Sequence, residues 1–289
     1  MKKAFSLIEL SIVFMIISIL ITFTFKGLAF LQNAKLIAAQ NLSINSPLKT
    51  INGLKIWYNA TSSDSLDLKN LDDGDLVKYW NDVAINKTNV EKINLSQTNQ
   101  NNQPTFVRNA INSLPSLYFI NNDTLKKDNV KFQDIASSKE ASVFYVQTKD
   151  GSYYSQIFSW DSNSDTKRFS NHSPLGTNNS FYFDFGACCT ADARLSIAAP
   201  SYVVNNKPFI GSMIKGESYG AIRINGNPII TSEVMTSSMD EQEVSLFRVG
   251  NQLKGYIGEL IIFNRRLSDE EIDKIESYLS DKWGVELQN

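Results

Sequence analysis

Apolar residues run almost without interruption from Phe5 to Phe25, broken by Glu9, and then thin into a mixed stretch through Leu28, Leu31, Lys35 and Leu36. That span matches the roughly 20 residues a helix needs to cross a bilayer, so the pattern predicts a membrane-spanning helix. The helix is expected to continue to about Asn45, where Ser46 and Pro47 stop it, with Gly27 permitting a bend. From Leu48 onward the period changes. In residues 53–60, Leu54, Ile56 and Tyr58 alternate with Lys55, Trp57 and Asn59, the mark of a half-buried strand. Segments such as 116–120, 141–148, 154–160, 180–186 and 255–264 repeat this short-strand pattern between Asn, Asp, Ser and Gly turns. Asn225 followed by Gly226 predicts a two-residue hairpin. The chain then closes with a helix. Ser268 and Glu271 are spaced as a capping box, Ile272, Ile275, Leu279 and Trp283 share one face, and Gly284 is placed to end it. The fold class read from these periods is mostly β: an N-terminal helix over residues 1–46, then a β-sandwich of jelly-roll type with a short C-terminal helix over residues 47–289.

Glu9 stands out in the apolar run, because a carboxylate among lipid-facing aliphatic groups costs several kcal/mol unless it is paired or reaches the interface. The segment from Lys2 to Leu20 combines a basic leader, the small residue Ala4, then Phe5, and Glu9 in an apolar helix. In this it resembles the N-terminal segment of type IV prepilins and type II secretion pseudopilins. The resemblance implies that a prepilin peptidase cuts between Ala4 and Phe5 and N-methylates Phe5. It also implies that Glu9 pairs with the terminal amine of a neighbouring pilin subunit during filament assembly. Ala4 departs from the glycine usual before the cut. The implied location is the bacterial inner membrane, crossed once with Lys2 and Lys3 on the cytoplasmic side and the head exported, and afterwards a pilus or pseudopilus at the cell surface.

Composition narrows the remaining classes. With 28 basic against 30 acidic residues, the net charge of -2 provides no footprint for a nucleic-acid backbone, and no nucleic-acid partner is expected. One histidine and two cysteines exclude a zinc cluster and a multi-disulfide scaffold. No cofactor is expected. Asp72, Asp73 and Asp75 crowd one turn, read as solvated, with calcium as the alternative; the spacing of a calcium loop is absent.

A second resemblance covers residues 50–289. The stretches 53–60, 72–84, 102–125 and, most specifically, 255–284 look like landmarks of bacterial laminin-G-like or concanavalin-A-like domains. Members of that group bind glycans, proteins or calcium, or serve only as structure. Asp184, Asp192, Glu217 and Glu259 are the candidate acids for such a sandwich to bring together for glycoside hydrolysis, but scattered acids on a sandwich are ordinarily at the surface. His172 sits in a polar stretch read as an exposed loop. Cys188 and Cys189 are read as one buried thiol and one packed or exposed thiol, with a vicinal disulfide as the alternative. Of the aromatic groups, Tyr153, Tyr154, Phe158 and Trp160, and Phe181, Tyr182, Phe183 and Phe185, about half are expected in the core, and an outward pair would form a sugar or protein platform. The resulting expectation is a minor pilin or pseudopilin, not an enzyme, whose head contacts a glycan or surface protein. The alternatives are a purely structural pseudopilin and a membrane-displayed carbohydrate-active enzyme.

Overall fold

The computed structural model describes residues 7–84, 92–151, 155–161 and 166–288, with the side chains of 22–26 left aside. Helix α1 (Leu7–Ile44) is followed by strands β1 (Leu54–Asn59), β2 (Tyr79–Trp80), β3 (Leu95–Ser96), β4 (Thr105–Ile111), β5 (Leu114–Phe119), β6 (Leu125–Lys131), β7 (Ala141–Lys149) and β8 (Gln156–Asp161). Then come β9 (Arg168–Leu175), β10 (Ser180–Gly186), β11 (Arg194–Ala198), β12 (Phe209–Lys215), β13 (Gly220–Ile224), β14 (Asn227–Ser232), β15 (Val244–Asn251) and β16 (Gly255–Phe263). Helix α2 (Asp269–Trp283) follows.

The strands form two eight-stranded antiparallel sheets. One has the order β14-β13-β12-β7-β16-β5-β4, with β1 also paired to β16; the other runs β11-β10-β9-β8-β15-β6-β3-β2. Strand periodicity distributes side chains between two cores. Val143, Tyr145, Met213, Leu260 and Ile262 of the first sheet meet Phe158, Trp160, Phe169, Phe183, Phe185 and Phe247 of the second. The intervening residues Phe144, Val146, Ile210, Ile214, Ile261 and Phe263 point the other way, onto Ile272, Ile275, Leu279 and Trp283 of α2. The first sheet is therefore buried on both faces. Trp57 and Asn59, read as solvent-facing by alternation, are buried because α2 and the end of α1 cover that outer face.

Local chemistry explains how α2 is held. Ser268 Oγ accepts from the Glu271 backbone N–H, while Glu271 returns a bond to the Ser268 N–H, which completes a capping box. Gly284 ends the helix in the left-handed conformation, and Asn112, in the β4–β5 turn, donates to the Trp283 and Gly284 carbonyls. Gly258 on β16 is required by close approach, since a Cβ there would lie 2.5 Å from Trp283 Cη2.

The mostly-β expectation agrees with these sheets, but the membrane expectation is corrected. Among the described residues, no helix is long and apolar enough to cross a membrane. Within α1, Glu9, Ser11 and Ser18 interrupt the apolar residues between Leu7 and Ile21, and the later part carries Asn33, Lys35 and Gln40. The single-pass topology, the inner-membrane location, and the partnerships with a prepilin peptidase and pilin subunits all rested on that anchor and are corrected with it. Ala4 and Phe5 lie outside the described residues. Glu9 lies in the exposed first turn of α1.

Candidate functional site

The alternation of β1 sends Ile56, Tyr58 and Ala60 between the sheets and Trp57 and Asn59 toward α2. Asn59 pairs across the ladder with Glu259 of β16. Glu259, read as one of several surface acids, is fully buried. Its Oε1 accepts from Trp57 Nε1 at 2.6 Å and from the Tyr278 hydroxyl at 2.8 Å. Its Oε2 accepts from Lys282 Nζ at 2.6 Å and Trp283 Nε1 at 2.8 Å. Four donors thus satisfy both oxygens of this buried carboxylate. Lys282 Nζ also donates to Asn59 Oδ1 at 2.9 Å; burial pushes its pKa below the ordinary lysine value while the Glu259 charge pulls it back. The Asn59 amide donates to Ser43 Oγ at 3.2 Å, which joins the end of α1 to the network. Burial also holds the Tyr278 phenol well above its usual value, helped by the neighbouring Glu259 charge.

This network is the floor of a cleft of about 400 Å³ lined by Gln40, Ser43, Trp57, Asn59, Ser62 and Asp64, with Lys49 at its edge. Gln40 donates to the Thr61 carbonyl at 3.0 Å and so fixes α1 against the turn after β1. Val83 also lines the cleft, and its buried neighbour Asp82 accepts from the backbone N–H groups of Trp57, Ala84 and Ile93 at 3.1, 2.9 and 3.2 Å. The Tyr58 hydroxyl donates to the Ile93 carbonyl. Above this buried floor, the accessible apolar side chain of Ile44 beside the amide of Gln40, the hydroxyls of Ser62 and Ser63 and the carboxylate of Asp64 suits a polar ligand with apolar faces.

The other sequence candidates do not converge here. Asp184 is buried on the outer side of the second sheet, gripped by Arg194 through bonds of 2.5 and 2.7 Å, and so lies on the opposite side of the molecule from Glu259. Asp192 is exposed in the β10–β11 connection, and Glu217 is exposed near Lys139 at 3.9 Å. His172 is in β9, not a loop, with its ring edge-on to Tyr182 at 5.9 Å. Cys188 and Cys189 form a disulfide with each other, which corrects the expectation of two separate thiols. Among the described residues no group of acids, histidines and cysteines is arranged to hold a metal ion. Within the acidic turn, Asp75 accepts from the Asp72 N–H at 2.7 Å and Asp73 from the Arg108 N–H at 2.7 Å, so these carboxylates brace the turn. Phe158, Trp160, Phe181, Phe183 and Phe185 are core residues, whereas Tyr153 and Tyr154 lie outside the described residues. Sequence reading missed Trp57, Asn59 and Lys282 as a unit; the recurrence of Lys282 one turn after Tyr278 on the apolar face of α2 was the available signal.

No family model matches the chain, and no curated protein matches it. Solved structures do. A Trypanosoma rangeli sialidase in complex with sialic acid superposes with a TM-score of 0.51 at 14% identity, over 80% of this chain and 33% of the sialidase. The same organism's sialidase in complex with 2,3-difluorosialic acid, a covalent intermediate, gives a TM-score of 0.51 at 13% identity, over 88% of this chain and 39% of the sialidase. The fold resembles one found within sialidases. The chain spans between a third and two-fifths of the length of these relatives, and at this identity the likeness establishes fold alone. It replaces the pairing of a transmembrane pilin with a jelly-roll head, and with it the pilin or pseudopilin function. The expectation that the chain is not an enzyme is corrected as well, because its fold is shared with enzymes.

Proposed function

We propose that this chain is a saccharide-recognition domain and that the cleft between α1 and β1 is its binding site. The observation that carries this reading is the accessible lining of the cleft: the apolar side chains of Ile44 and Val83 beside the amide of Gln40, the hydroxyls of Ser62 and Ser63, and the exposed carboxylate of Asp64. Saccharides present apolar ring faces and a rim of hydroxyl groups that both donate and accept, and this set of side chains answers both. The likeness to sialidases supports the same class of ligand. Calorimetric titration with lactose and 3′-sialyllactose tests it. Binding that weakens at least about tenfold in Asp64→Ala and Gln40→Ala is expected. Absence of binding to both sugars at millimolar concentration overturns it.

A second reading, saccharide hydrolysis, takes its support from the likeness to part of a sialidase, with Asp64 as the accessible acid of the cleft. Release of sialic acid from 3′-sialyllactose, lost in Asp64→Asn, would establish it.

A further inference from the structure

Next to the first cleft lies a second cavity of about 340 Å³, lined by Ser65, Asp67, Leu71, Leu76, Tyr79 and Asn81. The two share a wall. Asp64 lines the first and Ser65 the second, while Val83 lines the first and Asn81 the second. The wall is held by two hydrogen bonds, in which the Asn81 N–H donates to the Ser65 carbonyl at 2.9 Å and the Ser65 side-chain Oγ donates to the Asn81 carbonyl at 2.7 Å. Ser65 Oγ also accepts from the Asn59 N–H at 3.2 Å, which ties the wall to the strand that floors the first cleft.

The second cavity carries an exposed aromatic group. Most large side chains of the two sheets are buried, yet Tyr79 is 55% exposed and Leu76 beside it 49%. Tyr79 cannot rotate into the sandwich, because its neighbour Trp80 occupies the inward position of β2 and packs at 5.4 Å from Tyr58. Lys78 Nζ lies 5.0 Å from the centre of the Tyr79 ring and further restrains it. Asp67 and Asn81 supply polar groups at the edges. An outward aromatic face beside an amide and a carboxylate gives the second cavity its own apolar face and polar edge.

We infer that the two cavities are adjoining subsites for one oligosaccharide, which enters the Trp57 cleft with one end, crosses the Ser65–Asn81 wall and lays a further sugar ring on Tyr79. This rests on the saccharide reading of the first cleft and goes beyond it by setting the ligand class as an extended glycan. Apolar ring faces stacked on an exposed tyrosine gain contact area at small entropic cost, since only two side-chain torsions are fixed.

The test compares lactose with lacto-N-tetraose, a neutral tetrasaccharide built on lactose, by calorimetry on the full chain and on Tyr79→Ala and Asp64→Ala. The tetrasaccharide is expected to bind at least about tenfold more tightly than lactose to the unaltered chain. Tyr79→Ala is expected to abolish that gain and leave lactose affinity unchanged, which also verifies that the variant is folded; Asp64→Ala weakens both sugars. Equal affinity for the two sugars, or a Tyr79→Ala loss that falls equally on lactose, overturns the two-subsite inference while leaving the first cleft standing. Failure of both sugars to bind overturns the cleft reading and this inference together.

Discussion

Lys282 Nζ lies 2.6 Å from Glu259 Oε2, and both side chains are completely shielded from solvent. The pair links α2 to β16, and through Asn59 and Ser43 it reaches β1 and α1. Removing one partner strands the other charge in the interior, which typically costs about 3–5 kcal/mol. Glu259→Gln and Lys282→Met are each expected to lower the urea midpoint by a corresponding amount. The double variant is expected to recover part of the loss, and a double-mutant cycle that shows simple additivity would contradict the pairing.

Gly258 is predicted to be intolerant of even one methyl group. With Trp283 Cη2 2.5 Å from the position a Cβ would take, Gly258→Ala must displace the indole or bend β16. A destabilisation of about 1–3 kcal/mol is expected from such overpacking, read as a shift in thermal midpoint. Trp283→Phe in the same chain should relieve part of it.

The start of α2 governs the response to acid. Arg265, through bonds of 2.6 and 2.9 Å, holds the Glu271 carboxyl at a pKa of about 2, against an ordinary value of 4.5. A carboxylate depressed in the folded state adds stability that is fully present above its unfolded value and is lost as pH falls from about 4.5 toward 2. Glu271→Gln should flatten the stability profile across that window, and the partly exposed position keeps the effect modest. Ser268→Ala, which removes the reciprocal cap, is expected to cost about 1 kcal/mol at neutral pH.

The disulfide between Cys188 and Cys189 closes the smallest loop a chain can form. Loop-closure entropy is correspondingly small, so reduction with dithiothreitol should lower stability by no more than about 1 kcal/mol. Alkylation of the reduced chain, read by mass spectrometry, should find two reactive thiols and the untreated chain none. Labelling of the untreated chain would contradict the bond.

The pattern of residues revealed local structure far better than it revealed the site. The Asn225-Gly226 turn joins β13 and β14 with both residues at positive φ, and the cap of α2 follows from Ser268 and Glu271, because both depend on neighbours within a few positions. Trp57 and Asn59 were assigned to the wrong environment. Their alternation was correct, but a period of two says only that a strand has two faces, not that a distant helix will cover the second. Glu259 looked like a surface acid because the four groups that accommodate it come from β1 and α2. The stretch containing His172 is polar in composition, yet it pairs as β9 against Phe183 and Phe185 of β10. The longest apolar run invited a membrane and filament interpretation that the structure does not carry, since apolar length on a helix does not specify what covers it.

The pairing of Asn59 with Glu259 also bears on the order in which the molecule is made. Two hundred residues separate these partners, and synthesis proceeds from the N-terminus at about 5–20 residues per second. β1 therefore leaves the ribosome many seconds before the strand it pairs with exists. During that interval Trp57, Tyr58 and the neighbouring backbone have no native ladder, and high contact order slows its closure afterwards. A nascent chain stalled before β16 should be open to proteases around residues 54–59, and protection there should arrive only once residues 255–263 have been made.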